Sequence, residues 1–291
     1  MDTKTKGILA VLGASVMWAV EPITAKLAYT DSDFIETSLV RAIIAALIGF
    51  FYVFITNSRK LVVTKKQFSA LIYIAIVGTV FADLLYFFSL SKVPVLNAVL
   101  IGHMQPIFIV LIGFFLLKED RLSVSDYLGI LTMIFAGIFV TAKTPANLQM
   151  LKLGTIGDMY VVLAAAAWAT TAVVMRKYLR QLNAGTVTFY RFSMGAALLT
   201  VYVSLTSSLV ISNIYQILVG VVVGTGTILY YEGLKRIKAA QVSALELATP
   251  FFVVLFSFLV LGELTTIMQL FGIALLWVGV YLLSKREPMY F

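Results

Sequence analysis

The sequence predicts an all-α integral membrane protein of ten transmembrane helices, arranged as two inverted five-helix repeats. Three observations predict it. Of 291 residues, 61% are hydrophobic and 12% charged, with a mean hydropathy of +0.99, whereas a soluble domain carries roughly a quarter charged residues. The apolar residues fall in runs of about twenty, each long enough to cross a hydrocarbon core of about 30 Å. The second half of the chain also repeats the first in register, with its basic residues on the opposite sides.

Apolar runs read against polar breaks place helices near 7–28, 34–55, 68–90, 95–117 and 124–142. A second set follows near 156–178, 187–207, 213–234, 240–261 and 267–284. The polar stretch from Lys143 to Lys152, with Pro145 and Asn147, is the natural joint, so the repeats are expected at 1–143 and 150–291. The first run, Gly7 to Tyr29, follows a short basic start but is too long for a secretory h-region. It also carries Glu21 and Pro22 and has a counterpart later in the chain, which marks it as a membrane helix.

The repeat is visible as register. Trp18, Lys26 and Arg41 find Trp168, Arg176 and Arg191 at a constant offset of 150. After a shorter second connection the offset is 144, pairing Tyr86 with Tyr230, Pro106 with Pro250 and Glu119 with Glu263. One residue further out of step, LGI at 128–130 matches FGI at 271–273, so all five helices are duplicated.

Orientation follows from the basic residues. With the amino terminus cytoplasmic, that side receives sixteen Lys and Arg residues, and the other side only Lys26, Lys92, Lys143 and Lys152. This bias places both termini in the cytoplasm of a multi-pass protein of the plasma membrane. Equivalent connections confirm the inversion: the third holds the single Lys92 in the first half, and Lys235, Arg236 and Lys238 in the second. Five helices per half then insert upside down relative to each other, an arrangement common in secondary transporters, whose sites lie near the midplane between repeats.

Composition also excludes classes. A net charge of +8 would suit nucleic acid, but the basic residues sit in short clusters between apolar runs, so no nucleic-acid partner is expected and the lipid bilayer is. The chain has no cysteine and one histidine, His103, which removes disulfides, thiolate sites and most zinc arrangements; no metal or cofactor is expected. No GxxxxGK[ST] loop occurs, against an ATP-driven pump. The alternatives are an intramembrane enzyme and a membrane receptor or scaffold. HExxH and GxSxG are absent, and GTIGD at 154–158 is one residue too long for GxGD, so enzymatic activity is not expected. A receptor or scaffold would have no need of acids and a histidine near the midplane.

The order of these motifs, in duplicate, resembles the EamA-type members of the drug/metabolite transporter superfamily. The resemblance rests on Trp18 to Lys26 with Trp168 to Arg176, on Arg41 and Arg191, on Pro106 and Pro250 followed by apolar runs ending in KED and GEL, and on the closing glycine-containing helices. It implies a central cavity lined by the first, third and fourth helices of each half, and alternating access. Members move amino acids, other metabolites or drugs, and many export them, so a small-molecule substrate is expected. The smaller multidrug relatives carry an acid eight residues before the first-helix Lys; here Trp18 holds that position, and their antiport mechanism does not transfer.

A charge at a helix centre costs roughly 2.5–3.5 kcal/mol on insertion scales and needs a partner or water. The candidates are therefore few: Glu21, Arg41, Asp83 and His103 in the first half, and Arg191, Glu232 and Glu246 in the second. Glu21, His103 and Glu246 are candidates for substrate binding or proton coupling, each weighed against a structural ion pair or a satisfied core side chain. Glu246 aligns with Gly102 and so breaks the symmetry where the halves meet. Trp18, Tyr86, Trp168 and Tyr230 are candidate aromatic walls, and Gln105 and Thr249 candidate polar contacts beside the prolines, against plain packing or backbone satisfaction. With the expected topology, Glu21, Arg41 and Asp83 fall in the outer half of the membrane, and Arg191, Glu232 and Glu246 in the inner half. This reading gives two separated charge clusters, one to gate each end.

Overall fold

The computed structural model describes residues 2–57, 61–112, 115, 124–206, 210–237, 242, 245–246 and 248–284, and the regular elements among them are helices. The first five spans are α1 (Thr3–Ala28), α2 (Phe34–Asn57), α3 (Lys65–Leu90), α4 (Val95–Ile112) and α5 (Val124–Ala142). A short helix, Pro145–Gln149, occupies the joint. The second five are α6 (Ile156–Leu179), α7 (Ala184–Thr206), α8 (Ile214–Arg236), α9 (Ala248–Leu261) and α10 (Ile267–Ser284). Among the described residues, α1 to α6 and α8 are long and apolar enough to cross a membrane. The helix α7 has the length, 23 residues, but a more polar sequence that includes Arg191, while α9 and α10 are shorter apolar helices.

Helix starts follow local chemistry. Asp2 accepts from the Thr5 amide at 2.7 Å, and Thr64 with Gln67 and Thr155 with Asp158 form reciprocal capping boxes that satisfy first-turn amides. Inside the spans the backbone departs from α geometry at three places. α3 is π-helical from Ile74 to Ala82, α6 is π-helical from Met175 to Leu179, and α4 is interrupted at His103–Met104. The last has a direct cause: the Pro106 ring has no N–H and clashes with the carbonyl four residues earlier. That carbonyl belongs to Gly102, the residue at which the first segment of α4 ends. Pro22, by contrast, is accommodated inside a continuous α1.

The bundle has an exchange symmetry between its halves. α1 packs on α8 and α9 as α6 packs on α3 and α4, and α2 meets α8 as α7 meets α3. α2 with α7, and α5 with α10, are equivalents packed against each other. The same contact even recurs at matched positions. A methyl group on Gly7 would fall 2.8 Å from Arg236 and Ile237, and one on Gly157 would fall 3.1 Å from Lys92 and 2.7 Å from Val93. Those four neighbours are the repeat partners of one another.

Equivalent helices run antiparallel. Along α5 and α10, Gly129 lies against Leu283 while Val140 lies against Gly272. Helices in lipid gain no hydrophobic drive from meeting each other, so they rely on small residues that let backbones approach. At the α2–α7 crossing, a methyl group on Gly185 would sit 2.7 Å from the Gly49 carbonyl oxygen. Large apolar side chains such as Phe51, Phe54, Phe81, Leu198 and Val201 point outward and exposed, as a lipid-facing surface requires.

Candidate functional site

A cavity of about 240 Å³ lies between the two halves. Eleven candidate residues line it: Trp18, Glu21, Arg41, Asp83, Tyr86, His103, Gln105, Trp168, Arg191, Tyr230 and Glu246. Two candidates do not. Thr249 is fully buried, its hydroxyl without a partner among the described residues, while Glu232 is held by Lys235 at 3.4 Å and by Arg236, one turn further along its own helix. Phe192, Thr171, Arg176, Thr227 and Tyr231 also contribute to the wall.

Asp83 is the hub of the charged side. It accepts from Arg41 Nη2 at 2.9 Å and from Arg191 Nη2 at 3.2 Å, and its other oxygen accepts from Trp168 Nε1 at 2.8 Å. Arg41 reaches Glu21 at 3.4 Å, and Arg191 Nε donates to Thr79 at 3.1 Å. The expected pair of separate clusters is therefore replaced by one cluster. The two repeat-matched arginines, one from each half, converge on a single carboxylate because their long side chains span the depth between them. The Phe87 ring stacks 4.4 Å from the Arg41 guanidinium, and Phe192 lies 4.9 Å from that of Arg191, a favourable cation–π arrangement away from water. Two acids against two guanidiniums balance, as a buried charge group must.

The aromatic side carries the repeat. Trp18 meets Tyr230 at 4.9 Å between ring centroids, and Trp168 meets Tyr86 at 5.2 Å; each pair takes one ring from each half. The pairs differ in their acids. Trp168 is tied to Asp83, whose repeat partner is Thr227, while Glu246 stands where the other half has Gly102, itself against Trp168. The acids therefore occupy different positions around two similar aromatic walls, which makes the cavity directional.

The break in α4 shapes the middle of the cavity. It turns His103 so that Nδ1 meets the Val99 carbonyl at 2.8 Å, and the ring also reaches the backbone of Glu246. His103, Gln105 and Pro106 face the space that the break leaves. Arg176 lines the cavity and is exposed, at the end of the bundle where the amino terminus lies, while Tyr86 and Val99 line it toward the opposite end and are buried.

A multi-span helical protein of duplicated halves around a closed-ended polar cavity has the form of a membrane carrier. The chain matches the EamA-like transporter family over residues 5–142 and 155–285, and it belongs to that family. It is 29% identical over 233 residues to a Synechocystis protein named uncharacterized transporter sll1164, covering 75% of this chain and 66% of that protein. A Methanothermobacter thermautotrophicus protein named uncharacterized transporter is 26% identical, with 76% and 66% covered. The chain thus spans just under two thirds of those relatives. The uncharacterized inner membrane transporter YhbE of Escherichia coli is 26% identical, with 86% and 80% covered. A crystal structure of a protein 18% identical in sequence shares the fold, with a TM-score of 0.68 over 96% of this chain and 97% of that one.

Proposed function

We propose that this protein is a secondary transporter that moves a small polar or amphipathic metabolite, an amino acid or related compound, across the cytoplasmic membrane by alternating access. The observation that carries the reading is the cavity between the two halves, lined by charged and aromatic side chains from both. Charges inside a membrane protein mark substrate or ion pathways, and inverted repeats supply two exchangeable ends around one site. Both termini are assigned to the cytoplasm on the distribution of basic residues.

In this reading Trp18, Tyr86, Trp168 and Tyr230 hold the apolar body of the substrate, with Gln105 beside them. Arg41, Asp83, Arg191 and Glu21 form a balanced charge group that substrate rearranges, and Glu246 with His103 binds the substrate or a coupled proton. The test is a screen of labelled metabolites on purified protein in liposomes, with and without a pH gradient. Glu246→Gln keeps the size and removes the charge; it is expected to abolish substrate uptake or its dependence on the gradient. Unchanged uptake and unchanged pH dependence would assign Glu246 to packing.

A further inference from the structure

α9 ends at Leu261, and Gly262 follows with a φ of +67°, a conformation that costs other residues the clash of their Cβ. In this turn the Gly262 amide reaches the Phe258 carbonyl at 3.1 Å and the Glu263 amide reaches Ser257 at 3.2 Å, which satisfies carbonyls at the helix end. The turn sends Glu263 across to the first half of the protein. There its carboxylate accepts from Lys26 Nζ at 3.0 Å and from the Val95 amide at 3.0 and 3.2 Å.

Val95 opens α4, and Pro94, at the cap position, provides no side-chain cap. The first-turn amide and the positive end of the helix dipole are thus served by a carboxylate from the other half. Two residues further along α4, the buried side chain of Asn97 donates to Asp158 at 3.2 Å and accepts from Gln269 at 3.0 Å. Asp158 and Gln269 also belong to the first turns of α6 and α10. Three helix starts and the end of α1 are thereby pinned together, at the end of the bundle opposite the exposed Arg176.

We propose that this polar cluster, centred on Glu263 with Lys26 and the start of α4, is the gate that closes the end of the cavity away from the amino terminus. The proposal rests on the transporter reading and adds residues to it. Its contacts join one half to the other, so they must part when that end opens. They are charge-assisted and 24% and 21% exposed at the two ion-pair side chains, so water can take over their hydrogen bonds when they do. The repeat places Arg176, Glu119, Gln241 and Asp126 at the positions of Lys26, Glu263, Asn97 and Gln269; Glu119 and Gln241 lie outside the described residues. The sequence thus repeats the ion pair and two of the polar groups for the other end, while the repeat partner of Asp158 is the apolar Ile8.

The absence of native cysteine gives the test. A single cysteine replacing Thr171 in the cavity wall is labelled with a membrane-impermeant maleimide from the far side, using full-length protein in oriented liposomes. Glu263→Gln and Lys26→Met are each expected to raise that labelling rate about five-fold, the effect of removing a partly exposed ion pair. Lys26→Cys with Glu263→Cys, bridged by a short bifunctional thiol reagent before the maleimide is added, should hold the end shut and stop far-side labelling of the cavity cysteine. If folded protein, checked by thermal unfolding, shows the same far-side labelling with the charges removed, or the same access with the bridge in place, the gate is elsewhere. Should the bridge block access in a protein that moves no solute, the gate stands and the transporter reading fails.

Discussion

Asp83 sets the energetics of the cavity because two guanidiniums and an indole share it. Removing one partner of a buried ion pair leaves uncompensated charge, at a cost of about 3–5 kcal/mol. Asp83→Asn should therefore lower the thermal unfolding midpoint of the purified protein markedly. Glu21→Gln, which removes a single contact at 3.4 Å, is expected to lower it far less. Equal midpoints for the two variants would mean that Asp83 does not hold the arginines together. Both arginines were legible in the sequence as repeat partners inside apolar runs, and so was each acid. Their meeting was not, because depth along a helix does not reveal the reach of a long side chain toward a neighbour from the other half. Glu232 was legible in another sense: Lys235 and Arg236 stand three and four residues on, the spacing of helix-surface neighbours. Thr227 carries no charge and gave no signal of its own as a wall residue, although it is the repeat partner of Asp83; Arg176 entered the sequence reading only as the repeat partner of Lys26.

At the scale of elements, the spans follow from the length of apolar runs, and α5 begins and ends where the sequence places it, at 124 and 142. Hydropathy alone carries no signal for the π-helical stretches: that of α3 lies within unbroken apolar sequence, and that of α6 takes in Arg176 and Lys177 near the end of its span; Pro106 does mark the break in α4. The crossing of α2 and α7 depends on two glycines, and a Cβ on Gly49 would sit 2.6 Å from the Phe189 amide nitrogen. Backbone cannot yield as a flexible side chain can. Gly49→Val is expected to destabilise the protein by about 1–3 kcal/mol, as overpacking does, whereas Ala at the open, helical and lipid-facing position Leu205 should leave the midpoint nearly unchanged. Equal effects of the two substitutions, measured by thermal unfolding in detergent, would remove the crossing from the account.

At the scale of the molecule, duplication and inversion were both legible, the first in the register of Trp, Arg and Pro residues and the second in the sides taken by Lys and Arg. Topology has a direct check: single cysteines at Asn147 and Ser58 should label from outside and from inside respectively, and the reverse pattern would invert the orientation. The central claim is that one cavity between two inverted halves is reached from each side of the membrane in turn. Thr171→Cys places a thiol on the cavity wall in a chain with none of its own, and its labelling by an impermeant reagent from either side of oriented liposomes measures that claim. The account predicts labelling from both sides, with a transported substrate shifting the balance between them; labelling confined to one side under every condition would contradict it.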